Sequence, residues 1–332
     1  MARLYIKEYS RALAGRRVCV ACRQGILWDH FDAIVADIKF LCRQNISTSL
    51  YHNIPNRFAN QKTLDKLGRR LPETRIVRVP ADTDFYTYVL DHEAHVHKLI
   101  FVERKYLADT RGHRINALTT RDARRTLTAY GDLIANTNFK GALERICRKI
   151  EQGDYERVHI LPAGRHTIRN ELFSIEGTGT LIANNFTESF TQVASAGEIS
   201  LIEGILRLYR NEGFLKPRTR DYLRAHHANF YVTLIDGIVV GCIEKKVMDR
   251  ETVEIGALAI STRFRNQRVG LFTLRSFMAE MTRNGYRRFI SLTNNPKLRD
   301  LYLRMGFEKE EKGLFPDRRR QSPGVALYLK TL

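Results

Sequence analysis

Cysteine is scarce in this chain, five residues in 332, and five do not make a disulfide framework at this length. Cys19-Val20-Ala21-Cys22 has C-x-x-C spacing, but it sits in an apolar stretch with no second pair, so core packing is expected there. The ten histidines show no H-x-x-x-H or similar cluster. His92, His95 and His97 come nearest and read as a helix end, so no metal is expected. No apolar run reaches the roughly 20 residues that a membrane-spanning helix requires, and no signal peptide is evident. The first 23 residues are Arg-rich, as in a transit peptide, whereas Tyr5-Ile6-Lys7-Glu8-Tyr9 reads as a folded lead-in helix. A cytoplasmic location with no membrane partner is the expectation. Low-complexity segments and internal repeats are absent.

Acidic residues are also in short supply. Thirty-six Asp and Glu face 55 Lys and Arg, a net charge of +19. That balance suits nucleic acid, an acidic membrane surface or anionic small molecules. The basic clusters Arg16-Arg17, Arg69-Arg70, Arg124-Arg125, Lys245-Lys246 and Arg318-Arg319-Arg320 are scattered. None is interleaved with a run of aromatics, as a single-strand binder needs. Nucleic acid is therefore not expected, and an anionic small-molecule substrate is.

The length allows two domains with separate cores. In the first half strands alternate with helices, the pattern of a layered α/β sheet. Arg17–Ala21, Thr48–His52, Arg75–Val79, Lys98–Val102 and Arg157–Leu161 read as strands. Trp28–Arg43, Phe85–His95 and Ala142–Ile150 read as helices.

The most informative stretch lies between Glu254 and Phe307. Glu254–Ile260 reads as a buried strand, followed by the basic turn Arg263-Phe264-Arg265-Asn266-Gln267-Arg268-Val269-Gly270. A helix then runs through Leu274, Phe277, Met278 and Met281, and a second strand, Phe289–Leu292, leads to Asn295, Tyr302 and Gly306-Phe307. A strand entering a helix through a turn rich in N–H groups and cations is a pyrophosphate site, because the helix N-terminus adds partial positive charge. This segment resembles the acetyl-CoA-binding core of the GNAT acyltransferases, whose turn reads Arg/Gln-x-x-Gly-x-Gly/Ala. Here Arg268 stands where the middle glycine is usual. The resemblance implies acetyl-CoA as co-substrate, held by Leu258, Ala259 and Ile260 of the strand and by Arg265, Asn266, Gln267, Arg268, Val269, Gly270 and Leu271 of the turn, with Asn295 and Tyr302.

The first half resembles the amino-acid kinase fold. The carriers are Lys98–Val102, Leu107–Gly112, Ile115–Thr119, Arg157–Leu161 and Glu171-Leu172-Phe173-Ser174-Ile175-Glu176-Gly177-Thr178-Gly179-Thr180. The family's phosphate-binding glycines are replaced around Cys22-Arg23-Gln24 and Tyr51–Asn56, so phosphoryl transfer is not expected. A kinase-like domain joined to a GNAT domain is the architecture of the N-acetylglutamate synthase family. The expected fold class is thus α/β: a shortened amino-acid kinase-like αβα sandwich over residues 1–185, then a mixed-sheet GNAT domain over 190–332. The expected reaction is acetyl transfer to the α-amine of L-glutamate in arginine biosynthesis. One alternative is a GNAT acting on a different amino acid or amine, and another is a non-catalytic regulatory or nucleic-acid-binding protein.

What the resemblance implies for residues follows. Asn211–Asp221 looks like the synthase loop bordering the amino acid, with Leu215 at its main-chain position. Pro217 stands where a basic residue is usual, so Lys216 or Arg218 would supply that charge. Arg320 and Ser322 fit the Arg-x-Ser near the C-terminus, and a solvated basic loop is the other reading. Glu254 is the candidate base through water or an exposed strand carboxylate. Tyr302 is the candidate acid near the sulfur or a packing residue. Asn295 would bind an amine-side water or the CoA arm. Glu176, Gly179 and Thr180 would contact an L-arginine effector, unless their segment is only a connecting strand and turn. A homo-oligomer is expected from the kinase-fold relatives.

Overall fold

The first sheet grows from Arg17–Cys22, β1, in which five of six residues are buried. An unbroken apolar run is what a parallel strand covered on both faces requires. The computed structural model describes residues 3–93, 95–109, 111–126, 140–186, 188–264, 267–311, 313–318 and 324–332. Contacts divide the chain into two units, Met1–Phe186 and Thr187–Leu332.

In the first unit β1 is joined by β2 (Ser47–His52), β3 (Arg75–Arg78), β4 (Val96–Glu103), β5 (Ala117–Thr119), β6 (Tyr155–Pro162) and β7 (Thr180–Ala183). The order across the sheet is β3-β2-β1-β4-β6-β7-β5. From β3 through β6 the neighbours are parallel, while β7 runs antiparallel to β6 and parallel to β5. Alternating residues feed two cores. Cys19 and Ala21 join Leu99, Phe101, Val158 and Ile160 beneath helices Phe85–His92 and Lys140–Glu151. Val18, Val20 and Cys22 join Ile100, Val102 and Leu161 on the opposite face, against helices Phe31–Arg43 and Thr167–Phe173. This is the three-layer αβα sandwich.

Two helices depart from the sequence pattern. The stretch predicted as one helix over Trp28–Arg43 is two, Gln24–Asp29 and Phe31–Arg43, broken at His30 (φ −126°, ψ 24°). The first is anchored where the Gln24 N–H donates to Asn53 Oδ1 (2.6 Å). The second follows its own buried face of Ile34, Val35, Ile38 and Leu41, and one straight axis cannot serve both. The helix predicted over Phe85–His95 stops at His92, because the Glu93 side chain turns inward to Arg17 and Arg75. His95 is left-handed (φ 56°).

In the second unit β8 (Glu188–Gln192), β9 (Phe230–Ile235), β10 (Ile238–Val247), β11 (Thr252–Ile260), β12 (Arg288–Thr293), β13 (Glu308–Lys309) and β14 (Ala326–Thr331) order as β13-β14-β12-β11-β10-β9-β8. The β9–β10 hairpin turns on Asp236 and Gly237, both with positive φ (54° and 74°), the pairing a tight hairpin favours. Helix Ala196–Asn211 starts at a capping box of Ser195 and Glu198. Helix Val269–Arg283 sets Leu274, Phe277, Met278 and Met281 into the core with Tyr231, Ile255, Phe289 and Tyr302.

Candidate active site

One parallel pair in the otherwise antiparallel second sheet opens the site. β11 and β12 pair from Thr252↔Arg288 to Ile255↔Ser291, and no pairing continues beyond. β11 itself runs on to Ile260 alongside β10. Its register with β10 slips between Cys242↔Ala259 and Glu244↔Gly256, so two residues of β11 oppose Ile243. At this bulge Ala257 takes a positive φ of 46°. Bulges re-aim backbone groups and gather at functional sites. Leu258 and Ala259 are buried and Ile260 is half-buried. The Ile260 carbonyl accepts from the Tyr209 hydroxyl (2.7 Å).

Past a short 3-10 turn, Thr262–Phe264, the chain reaches helix Val269–Arg283. Arg265 and Asn266 lie outside the described residues. Arg268 stands at the N-cap in the left-handed region (φ 60°, ψ 6°), which an L side chain adopts at a cost. The Phe272 N–H closes the first helical bond, to the Arg268 carbonyl (3.0 Å). The N–H groups of Val269, Gly270 and Leu271 therefore have no acceptor within the helix. A Cβ on Gly270 would stand 3.7 Å from Ile260 Cγ1 and 3.8 Å from Leu301 Cδ2. Strand end, turn and helix Pro296–Arg304 thus meet at one point.

Asn295 caps that last helix, its Oδ1 accepting from the Lys297 N–H (2.9 Å). Tyr302 is 1% exposed. Its ring packs near Phe307 and Tyr328, and its hydroxyl accepts from Ser291 (2.8 Å), where β11 and β12 part. Burial pushes the phenol up to about 12.

The polar centre of the unit is a chain of alternating charges. Glu254 Oε1 lies 3.1 Å from Lys246 Nζ and Glu254 Oε2 lies 2.7 Å from Arg318. Lys246 is also 3.9 Å from Glu244, which pairs with Arg218 at 3.0 Å. Both carboxylates are buried, at 5% for Glu254 and 0% for Glu244. The three cations each keep part of the side chain in solvent, 17% for Arg218 and 29% for Lys246 and Arg318. Three cations on two carboxylates leave one positive charge over. Glu254 is therefore a paired, buried group and not an exposed strand carboxylate. In the loop 212–219, Leu215 is half-buried and Lys216 exposed, and Arg218 is the residue tied to the strands. Arg320 and Ser322 lie outside the described residues.

Sequence reasoning did not single out Glu244, Tyr222, Lys246 and Arg318 as site residues. The available signal was Glu244 itself, a carboxylate closing the apolar run Val239–Ile243 in a strand with two buried faces.

The effector candidates belong to the first unit. Glu171, fully buried, accepts from His159 (2.7 Å) and from the N–H groups of Thr178 (2.6 Å) and Gly179 (2.9 Å). Gly179 packs so close that a Cβ would stand 2.3 Å from the Ile160 carbonyl oxygen. Thr180, also buried, donates to the Ile115 carbonyl (2.6 Å). The Glu176 carbonyl accepts from Arg114 (3.5 Å). At the turn after β1, Arg23 pairs with Glu103 (2.8 Å) and the Tyr86 hydroxyl donates to the same carboxylate (2.7 Å). Among the described residues no His, Cys, Asp and Glu group has the arrangement of a metal site, and no helix is long and apolar enough to cross a membrane.

Residues 200–307 match the acetyltransferase (GNAT) family. The matched segment lies within the second unit. The chain is 29% identical over 172 residues to an amino-acid acetyltransferase of Neisseria meningitidis serogroup A, covering 51% of this chain and 39% of that protein. To an amino-acid acetyltransferase of Shewanella oneidensis it is 25% identical over 227 residues, 67% of this chain and 49% of the other. The matches thus span less than half the length of these relatives. In three dimensions it is similar to the crystal structure of N-acetylglutamate synthase from Neisseria gonorrhoeae, complexed with coenzyme A and L-arginine. That likeness has a TM-score of 0.54 at 16% identity and covers 99% of this chain and 98% of that one. It establishes the fold: an αβα sandwich followed by a mixed sheet with the GNAT fold.

Proposed function

We propose that the chain is an amino-acid N-acetyltransferase that moves the acetyl group of acetyl-CoA to the α-amine of L-glutamate, a step of arginine synthesis. The observation that carries this reading is the adjacency on β11 of two anion-seeking features. One is the bulged strand end leading to the uncapped N–H groups of helix Val269–Arg283. The other is the charge chain Arg218–Glu244–Lys246–Glu254–Arg318, with its surplus positive charge. The first suits the pyrophosphate of acetyl-CoA, and the second suits the carboxylates of a dicarboxylic amino acid.

Acetyl-CoA, when bound, supplies the activated thioester. In this reading Gln267, Arg268, Val269, Gly270 and Leu271, with Arg265 and Asn266, hold its pyrophosphate. The N–H groups of the bulge around Leu258 stabilise the developing oxyanion, a contribution worth roughly 3–4 kcal/mol per donor in well-formed sites. Glu254, held in place by Lys246 and Arg318, draws the amine proton through water. Tyr302 protonates the leaving thiolate and Asn295 orients the helix that carries it. Leu215, Lys216, Arg218, Arg320 and Ser322 receive the amino acid.

Residues 1–185 act in this reading as a degenerate amino-acid kinase-like domain and 190–332 as the transferase. The Arg23–Glu103–Tyr86 cluster at the end of β1 supports a first domain without phosphoryl transfer. L-arginine as effector near Glu176, Gly179 and Thr180, a homo-oligomer and a cytoplasmic location complete the proposal. Pro217, where a basic residue was expected, favours a second reading in which another amino acid or amine is acetylated. Thiol release from acetyl-CoA, measured against a panel of amino acids, tests both. Release with some other amine and none with glutamate selects the second reading. Failure to bind acetyl-CoA, with salt-sensitive nucleic-acid binding, defeats both.

A further inference from the structure

Arg218 is held in a way that its sequence neighbours do not require. Its Nε (3.3 Å) and Nη2 (3.0 Å) both donate to Glu244 Oε2. The guanidinium also lies over the Tyr222 ring, 5.3 Å from its centroid, and the Tyr222 hydroxyl donates to the other oxygen, Glu244 Oε1. Tyr222 is itself fixed, because Thr219 caps helix Arg220–Ala225 by accepting from the Tyr222 N–H (3.1 Å). Glu244 has no freedom to follow a moving partner: its side chain is 0% exposed. Gly256 is part of the same device. A Cβ there would stand 2.8 Å from Glu244 Oε2 and 3.1 Å from Lys246 Cε, so only glycine leaves the carboxylate in place.

A guanidinium carries five N–H donors in a planar fork. Glu244 takes the Nε–Nη2 edge, and the Nη1–Nη2 edge remains directed away from it, with 17% of the side chain in solvent. That remaining edge matches a carboxylate bidentately. The charge balance agrees, since the chain of five groups has one positive charge over.

We propose that Glu244 and Tyr222 are positioning residues that aim Arg218 at the side-chain carboxylate of the amino-acid substrate, making this trio the determinant of preference for acidic amino acids. This rests on the transferase reading above and adds to it the device that replaces the missing basic residue at Pro217. Glu244 acts through Arg218 and contacts neither substrate nor acetyl-CoA. Tyr222 holds both groups, its ring against the guanidinium and its hydroxyl donating to the carboxylate.

The test is steady-state kinetics of the full chain with L-glutamate and L-glutamine, comparing wild type, Glu244→Gln and Tyr222→Phe. Loss of the carboxylate anchor in Glu244→Gln raises KM for glutamate about tenfold, with KM for acetyl-CoA and kcat within about twofold. The preference for glutamate over glutamine falls by a similar factor. Tyr222→Phe, which removes one hydroxyl and keeps the ring, raises the same KM about threefold. If Glu244→Gln does not fold, Tyr222→Phe decides, and an unchanged glutamate KM in it overturns the proposal. Thiol release with glutamate but equal losses on both amino acids overturns the positioning role alone. No release with any amino acid defeats the transferase reading and this inference together.

Discussion

Glu254 and Arg318 lie 2.7 Å apart, joining the first half of β11 to the 3-10 turn Pro316–Arg318. With Lys246 on its other oxygen, Glu254 is held between two cations. A buried carboxylate held by two cations is fixed in position for a substrate that reaches it. Glu254→Gln preserves shape and removes that role. Turnover is expected to fall about 100-fold, with acetyl-CoA affinity unchanged. Rapid-mix thiol release together with equilibrium acetyl-CoA binding separates the two, and unchanged turnover returns Glu254 to a structural ion pair.

Tyr302→Phe keeps a ring packed among Phe307 and Tyr328 and deletes the contact with Ser291. The stability loss is about 1 kcal/mol, that of one hydrogen bond. If the hydroxyl also serves the leaving thiolate, turnover falls far more than acetyl-CoA affinity. A drop in Tm with turnover intact assigns Tyr302 to packing alone.

The turn is tested by two opposite substitutions. Arg268→Gly relieves the left-handed backbone at the helix N-cap and is expected to stabilise by about 1 kcal/mol, read as a higher Tm. Gly270→Glu has room for its first carbon, with neighbours at 3.7 and 3.8 Å. The fold therefore survives while a carboxylate faces the pyrophosphate. Acetyl-CoA binding is lost; retained binding would show that phosphate does not lie at this turn.

Gly256→Ala places a methyl group against Glu244 Oε2 and should reproduce the Glu244→Gln phenotype from the neighbouring strand. A glutamate KM equal to wild type, with unchanged Tm, would mean that Glu244 can shift without consequence.

Acid stability depends on His52 in the first unit. Its ring is 2% exposed, and Nδ1 accepts from the Ile54 N–H (3.1 Å), which requires the neutral form. Burial, aided by Arg78, lowers it from 6.5 to about 4. Between those values the unfolded chain binds a proton that the folded chain does not, so stability rises with pH. The contribution is complete above about pH 6.5 and is lost as pH falls toward 4. It amounts to roughly 3 kcal/mol at most. Urea melts at pH 7 and pH 4.5 should differ less in His52→Asn than in wild type; equal differences would assign the acid sensitivity to other groups.

Strands and long helices were legible in the sequence because their signal is local. The apolar run Val18–Cys22 and the 3.6-residue spacing of Leu274, Phe277, Met278 and Met281 state their burial in the order of residues alone. The start of helix Val269–Arg283 was legible for the same reason, although it begins one residue before the Gly270 at which the turn was expected to end. The break at His30 and the helix end at His92 were not legible, because each is set by a distant partner: Asn53 for Gln24, and Arg17 and Arg75 for Glu93.

The sequence by itself determined that a strand and a helix follow one another between Glu254 and Arg283. Only the tertiary structure decided that Arg218, Tyr222, Glu244, Lys246, Glu254 and Arg318 form one connected group. Their positions span a hundred residues, and no local pattern encodes which carboxylate a guanidinium will meet. That choice is made by strand register and a one-residue bulge, which fix which side chains share a face and how closely they approach.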